Sequence, residues 1–89
     1  MVEREVEIVN RLGLHARAAA KLVQTATAFQ SKVVLHRDGE VVDAKSILGI
    51  LLLAAGQGSR MVIRCEGADE TPALDAVTQL VADRFGEDG

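Results

Sequence analysis

The chain has 89 residues, 48% of them hydrophobic and 26% charged, which predicts one domain over residues 1–89 with enough apolar side chains for a core. Ten Lys and Arg stand against thirteen Asp and Glu, for a net charge of −3, and there are two Phe and no Tyr or Trp. Nucleic-acid binders need a basic surface and aromatic rings for stacking, so the composition argues against that class, and the single Cys excludes an internal disulfide and a multi-Cys zinc site.

The first half of the chain changes from a strand pattern to a helix pattern and back. Val2, Val6 and Ile8 recur at even positions, with Arg4 as an interruption and glutamates at the odd positions, which predicts a half-buried strand. The segment Asn10–Gly13 is typical of a loop. The apolar spacing then changes to three and four, which predicts an amphipathic helix over Ala16–Phe29. Two β-branched runs flank Asp38-Gly39, a strong signal for a β-hairpin.

A second helix is expected after Ser46. Nine apolar residues, Ile47–Ala55, follow this serine, and Ser is a favourable N-cap. The helix is apolar on all sides, so in a small two-layer protein we expect it to leave apolar side chains for docking. We expect one or two of Leu48, Leu51 and Leu52 to be partly exposed.

The last part of the chain predicts one strand and one helix. Met61, Ile63 and Cys65 alternate against Arg64 and Glu66 and predict a fourth strand. The segment Asp69–Pro72 begins the final helix, with Pro in its first turn. The apolar stripe of that helix comprises Leu74, Val77, Leu80, Val81 and Phe85.

The element order βαββαβα predicts the fold class. We expect an α+β protein, a two-layer open-faced β-sandwich in which a four-stranded, mainly antiparallel sheet carries three helices on one face. Glu3, Glu5 and Glu7 are then expected on the open face. The first five residues contain three charges and no apolar segment, and the longest apolar run is far below the roughly 20 residues of a membrane span. We therefore expect a cytoplasmic protein.

The segment Gly13–Ala18 holds the residues best suited to chemistry. His15 stands where the loop becomes the first helix, and a helix N-terminus offers free N–H groups and partial positive charge that favour an anion. The N–H groups of Ala16 and Arg17, together with the Arg17 guanidinium, suit a phosphoryl group attached to a ring nitrogen of His15.

Other interpretations of these residues stay open. His15 can serve only as a cap or a packed side chain. A nucleophilic pair of Cys65 and His15 is compatible with the sequence but has no visible third group to orient it. A metal site is disfavoured, because His36 is the only other His and no cluster has ligand spacing. The candidates for one basic face, as opposed to scattered solvated charge, are Arg11, Arg17, Lys21 and Lys45.

Two segments resemble those of one known family. Asn10–Ala19 resembles the active-site signature of the HPr family, the histidine-containing phosphocarriers of the bacterial phosphoenolpyruvate-dependent sugar phosphotransferase system. Lys45–Ile50 resembles the serine-site signature of the same family. The chain length, the element order, the Asp-Gly hairpin, the Gly-rich turn Gly56–Ser59 and the stretch Glu66–Glu70 also agree. By this resemblance the chain is identified as a member of the HPr family.

The resemblance implies a carrier. His15 would accept a phosphoryl group on Nδ1 from a phosphohistidine of Enzyme I, which takes it from phosphoenolpyruvate, and would pass it to a histidine of an EIIA domain. Arg17 would help to hold the group. The partners would contact Ile47, Leu48 and Leu51, with Arg17, Lys21 and Lys45 around them. The resemblance implies no cofactor and no metal, and we expect a monomer without independent turnover.

Ser46 carries a second implication of the resemblance. In many relatives a dedicated kinase, HPr kinase/phosphorylase, phosphorylates the matching serine, so this enzyme is a candidate partner. A phosphate on Ser46 would lie at a helix N-terminus and would add about two negative charges beside the docking residues. This role is compatible with that of an N-cap.

The chain departs from the family pattern at Ala18, where the family usually has Pro. Pro would preorganise the first helical turn through its fixed φ. The departure leaves an alternative open, a regulatory HPr-like module of a nitrogen-related or paralogous branch that acts mainly by phosphorylation-dependent protein binding. Rivals from other classes are an RNA-binding or small-ligand sandwich of similar element order and an enzyme that uses Cys65.

Overall fold

The computed structural model describes all 89 residues and contains four strands and three helices. The strands are β1 (Val2–Glu7), β2 (Lys32–Arg37), β3 (Glu40–Asp43) and β4 (Arg60–Glu66). The helices are α1 (Ala16–Thr27), α2 (Ile47–Leu52) and α3 (Glu70–Ala82), and a 3₁₀ turn follows at Arg84–Gly86. The strand order is β1-β4-β2-β3, and all three pairings are antiparallel. This is the predicted two-layer open-faced sandwich, and none of its helices has the length and apolarity that a membrane crossing requires.

The two faces of the sheet have different chemistry. Alternate residues of β2 and β4 point into the core beneath the helices, and these buried residues are Val33, Leu35, Met61, Ile63 and Cys65. The open face carries the predicted glutamates, which pair with arginines of β4: Glu3 with Arg64 at 3.4 Å and Glu5 with Arg60 at 3.2 Å. Exposed pairs of this kind contribute about 0–1 kcal/mol each. Apolar burial on the helical face therefore supplies most of the stability.

The hairpin between β2 and β3 is confirmed at its turn. Asp38 and Gly39 have φ values of 51° and 84°, and two successive positive φ values are the requirement of a type I′ turn. Gly39 meets this requirement without steric cost, and Asp tolerates it better than most residues.

Gly13 sets the position of the segment that follows it. Its φ is 67°, and a Cβ at this position would lie 2.5 Å from the carbonyl oxygen of Ala55. The next residue, Leu14, donates its N–H to the same oxygen at 2.9 Å. Glycine therefore allows the loop before α1 to lie directly against the chain that leaves α2. This contact brings the start of α1 and the helix α2 together on one side of the molecule.

The predicted helix boundaries are wrong at three C-termini. The first helix ends at Thr27, and α2 covers only Ile47–Leu52 of the nine apolar residues. Ala54 has a φ of 50°, and this turn lets the chain bury Ala55. Phe85 is not part of the α3 stripe, because α3 ends at Ala82 and Phe85 lies in the 3₁₀ turn. After α2 and α3, burial of one apolar residue, Ala55 or Phe85, outweighs continuation of the helix.

Candidate functional site

His15 occupies the N-cap position of α1. Its backbone is extended, with φ −76° and ψ 179°, and its side chain makes no capping hydrogen bond. The carbonyl of His15 accepts from the N–H of Ala19 at 2.8 Å, whereas the N–H groups of Ala16 and Arg17 donate to no group in the chain. The imidazole is therefore not used as a cap. It stands half-buried beside two free backbone donors at the positive end of a helix, a setting that favours an anion.

The sequence-based prediction missed the carboxylate that contacts His15. The Glu87 side chain makes a short contact with the Nε2 atom of His15. Its other oxygen accepts a hydrogen bond from Nδ2 of Asn10 at 3.0 Å, and the same amide nitrogen donates to the carbonyl of Gly13 at 2.8 Å. Glu87 is 72 positions away from His15 in the chain. No local sequence pattern predicts such a contact. The only hint in the sequence is that the last residues of the chain include acidic ones.

The Glu87 carboxyl is ionised near neutral pH. Burial acts to raise its pKa, but the hydrogen bonds from Asn10 and His15 and the positive charges of His15 and Arg17 outweigh burial, so that the pKa of Glu87 lies below its ordinary value. An ionised carboxylate accepts hydrogen bonds and donates none. In the neutral ring the atom bonded to Glu87 is therefore the protonated nitrogen, and Nδ1, which contacts no hydrogen-bonding group, carries the lone pair.

A basic cavity of about 520 Å³ lies beside His15. We use the name basic cavity for the space lined by Arg11, Leu12, His15, Arg17, Lys21 and the tail residues 86–89. It brings together three of the four cations predicted for one face. The Lys21 ammonium donates to the carbonyl of Phe85 at 2.6 Å, whereas the Arg17 guanidinium has no hydrogen bond or ion pair. Lys45 is outside the cavity, and its ammonium donates to the carbonyl of Phe29 at 2.9 Å.

Helix α2 presents the apolar surface expected of it. Leu48 is 67% exposed and Leu52 is 69% exposed, with Ile47 and Leu51 also exposed. Leu12, in the loop before His15, adds a further exposed leucine that the sequence-based prediction missed. More apolar side chains are thus exposed than the one or two expected. We use the name apolar patch for Leu12, Ile47, Leu48, Leu51 and Leu52.

Ser46 is the N-cap of α2, as predicted. Its Oγ accepts a hydrogen bond from the N–H of Gly49 at 3.1 Å. The cap satisfies one of the free donors at the start of the helix and stabilises it by about 1 kcal/mol. The Ser46 side chain is only half-buried, so the hydroxyl lies at the surface beside the apolar patch.

The structure does not support the interpretation of Cys65 as a nucleophile. Cys65 is fully buried in β4, and burial raises the pKa of its thiol, with the charges of Glu70 and Asp69 acting in the same direction. A thiol that stays protonated is a poor nucleophile. No hydrogen bond joins it to His15, so the proposed pair is not formed. His36 lies on the open face of β2 opposite Val41 and Val62, away from the basic cavity.

The fold and the site together define a class, small open-faced α+β sandwiches that carry a half-buried histidine at the amino end of the first helix. A family model described as "PTS HPr component phosphorylation site" matches residues 2–83. The phosphocarrier protein HPr of Cupriavidus necator is 53% identical over 87 residues, which cover 98% of each chain. The chain belongs to the HPr family, the phosphocarriers of the bacterial phosphotransferase system.

Solved structures give the same result. The crystal structure of HPr-C-His from Thermoanaerobacter tengcongensis superposes with a TM-score of 0.96 at 44% identity and covers all of both chains. A crystal structure of an HPr dimer from the same organism has a TM-score of 0.79 at 45% identity and covers 98% of this chain and all of the other. The predicted fold class is confirmed by these neighbours.

Proposed function

We propose that this protein carries a phosphoryl group on Nδ1 of His15, accepting it from a phosphohistidine of Enzyme I and passing it to a histidine of an EIIA domain. The observation that supports this most is the contact between Glu87 and Nε2, because it leaves Nδ1 as the nitrogen with a lone pair. The free N–H groups of Ala16 and Arg17 and the unpaired Arg17 guanidinium supply the donors that a phosphoryl group needs.

The transfer needs no other chemistry from the protein. The lone pair of Nδ1 attacks phosphorus as the P–N bond to the donor histidine breaks, and the donor ring leaves with its electron pair. The proton on Nε2 of His15 stays in place throughout. Catalysis is then a matter of position and charge, since the negative oxygens are stabilised by Arg17 and the helix N-terminus.

The apolar patch is the proposed docking surface. Gly13 packs against the chain after α2, so this surface and His15 lie on the same side of the molecule. Donor and acceptor must both reach His15, so they would use the same surface in turn. Ile47, Leu48 and Leu51 would supply apolar contact, while Arg17, Lys21 and Lys45 would favour an acidic partner. We further propose that the carrier is cytoplasmic and acts as a monomer. Light scattering at micromolar concentration tests the oligomeric state.

Regulation through Ser46 is proposed as a second layer. A kinase of the HPr kinase/phosphorylase type would transfer phosphate to Oγ, whose half-buried position at the surface supports access. The phosphate oxygens can still accept from the N–H of Gly49, so the helix would survive. The added charge would stand beside the docking surface and would repel an acidic partner.

The test of the carrier function is phosphorylation from phosphoenolpyruvate by a cognate Enzyme I. The parent protein, His15→Ala and the matched control His36→Ala are compared. We expect an acid-labile, base-stable adduct on the parent and on His36→Ala and none on His15→Ala. An adduct that persists in His15→Ala, or its absence from the parent, contradicts the proposal.

A further inference from the structure

The tail after α3 returns to the start of α1 through a turn that is costly for these residues. Arg84 and Phe85 both have φ values of 56°, a left-handed conformation that is strained for residues with a Cβ atom. Phe85 is fully buried, and removal of its aromatic ring from water stabilises the turn. The ammonium of Lys21 adds a hydrogen bond to the Phe85 carbonyl at 2.6 Å. Burial and this bond offset the strain and direct the tail toward His15.

The tail places the carboxylate of Glu87 between Asn10 and His15. Asn10 has no solvent exposure, and its amide nitrogen is held by the Gly13 carbonyl at 2.8 Å and by Glu87 at 3.0 Å. The second oxygen of Glu87 contacts Nε2 of His15. Both oxygens are thus engaged, and the side chain is only 12% exposed. The chain of contacts Asn10, Glu87, His15 leaves the carboxylate little freedom to turn.

We propose that Glu87 is the positioning residue of His15: it holds the ring proton on Nε2 and thereby keeps the lone pair on Nδ1 free to attack phosphorus. The inference rests on the proposed phosphocarrier function. When Nδ1 forms its bond to phosphorus, the ring gains a formal positive charge while the proton remains on Nε2. The adjacent carboxylate balances that charge, so the same contact serves both the free and the phosphorylated carrier.

Other charged groups lie near the ring without contacting it. Arg11, Arg17 and Lys21 line the basic cavity, and none of the three forms a hydrogen bond or ion pair with His15 or Glu87. Asp88, the neighbour of Glu87, is exposed and makes no hydrogen bond or ion pair. It provides a matched control, because its neutralisation removes the same charge one residue away without touching His15.

The test is the tautomer of His15, read from two-bond ¹H–¹⁵N correlations of the ¹⁵N-labelled protein at pH 8. The parent, Glu87→Gln and Asp88→Asn are compared, and the backbone amide spectrum shows that each is folded. We expect a protonated Nε2 and an unprotonated Nδ1 in the parent and in Asp88→Asn. In Glu87→Gln the amide cannot serve Asn10 and His15 as two acceptors, and we expect both ¹⁵N shifts to move toward the average of two tautomers. Identical shifts in the parent and Glu87→Gln, or a proton on Nδ1 of the parent, overturn the proposal.

Kinetic measurements distinguish a positioning role of Glu87 from a merely structural one. With Enzyme I and phosphoenolpyruvate we expect Glu87→Gln to lower kcat about tenfold, the equivalent of one charge-assisted hydrogen bond, with KM within twofold. Glu40→Gln, which removes a carboxylate from an exposed residue of β3 outside the basic cavity, should change neither. A change confined to KM contradicts a positioning role. The tautomer measurement uses no phosphoryl donor, so it stands or falls independently of the carrier function itself.

Discussion

Replacement of Leu48 by Asp separates docking from folding most sharply. Leu48 is 67% exposed, so only about a third of the 2–3 kcal/mol that full burial of a leucine contributes is at stake, which is about 1 kcal/mol. Asp near the amino end of a helix is also favoured by the helix dipole. Ile50, two residues further along α2, is fully buried, and Ile50→Ala should cost about 2–5 kcal/mol. Urea unfolding followed by circular dichroism measures both values.

Leu48→Asp should affect the binding of partners more than it affects folding. Loss of an apolar contact and gain of a negative charge facing an acidic partner should weaken binding of Leu48→Asp about 10- to 100-fold, or about 1.4–2.8 kcal/mol. Isothermal titration with Enzyme I and with an EIIA domain measures the two dissociation constants. Val41→Asp is the matched control, because Val41 is an exposed apolar residue of β3 on the open face of the sheet. The reasoning is refuted if Leu48→Asp binds both partners as the parent does, or if Val41→Asp loses as much affinity.

Three further predictions concern stability and regulation. Phe85→Ala should lower the free energy of unfolding by about 3–5 kcal/mol, because it empties a fully buried site; a loss below 1 kcal/mol in urea would contradict the role given to this ring. Hydrogen bonds from the Ser31 hydroxyl and the backbone of Gln30 and Ser31 hold the pKa of Asp69 below its ordinary value. The folded state thus binds fewer protons than the unfolded chain, and this stabilisation is present above about pH 4 and is lost as the pH falls through the lowered pKa. As the pH is lowered, the urea midpoint of unfolding should therefore fall less steeply in Asp69→Asn than in the parent. Finally, Ser46→Asp should accept phosphate from Enzyme I more slowly than the parent, and equal rates in the two proteins would exclude the proposed repulsion.

Local sequence patterns predicted the structure correctly where it depends on residues close together in the chain. The alternation in β1 and β4, the type I′ turn at Asp38-Gly39 and the cap at Ser46 each depend on side chains a few positions apart. Helix ends were predicted less well. The chain leaves a helix where burial of a later residue contributes more than another helical hydrogen bond, and Ala55 and Phe85 show this. That balance depends on the space between the helices and the sheet, which cannot be deduced from a short stretch of sequence.

The same division applies to the site. Residue spacing was enough to predict the fold class, the histidine at the start of α1, the free N–H groups beside it and the apolar character of α2, because each depends on residues close together in the chain. Only the tertiary structure brought Arg11, Arg17 and Lys21 around one cavity while Lys45 stayed outside it. Only the tertiary structure placed Glu87 on Nε2, since the contact spans 72 positions. It arises from a buried ring and a strained turn at the end of the chain, and long-range contacts of this kind are decided by packing in three dimensions.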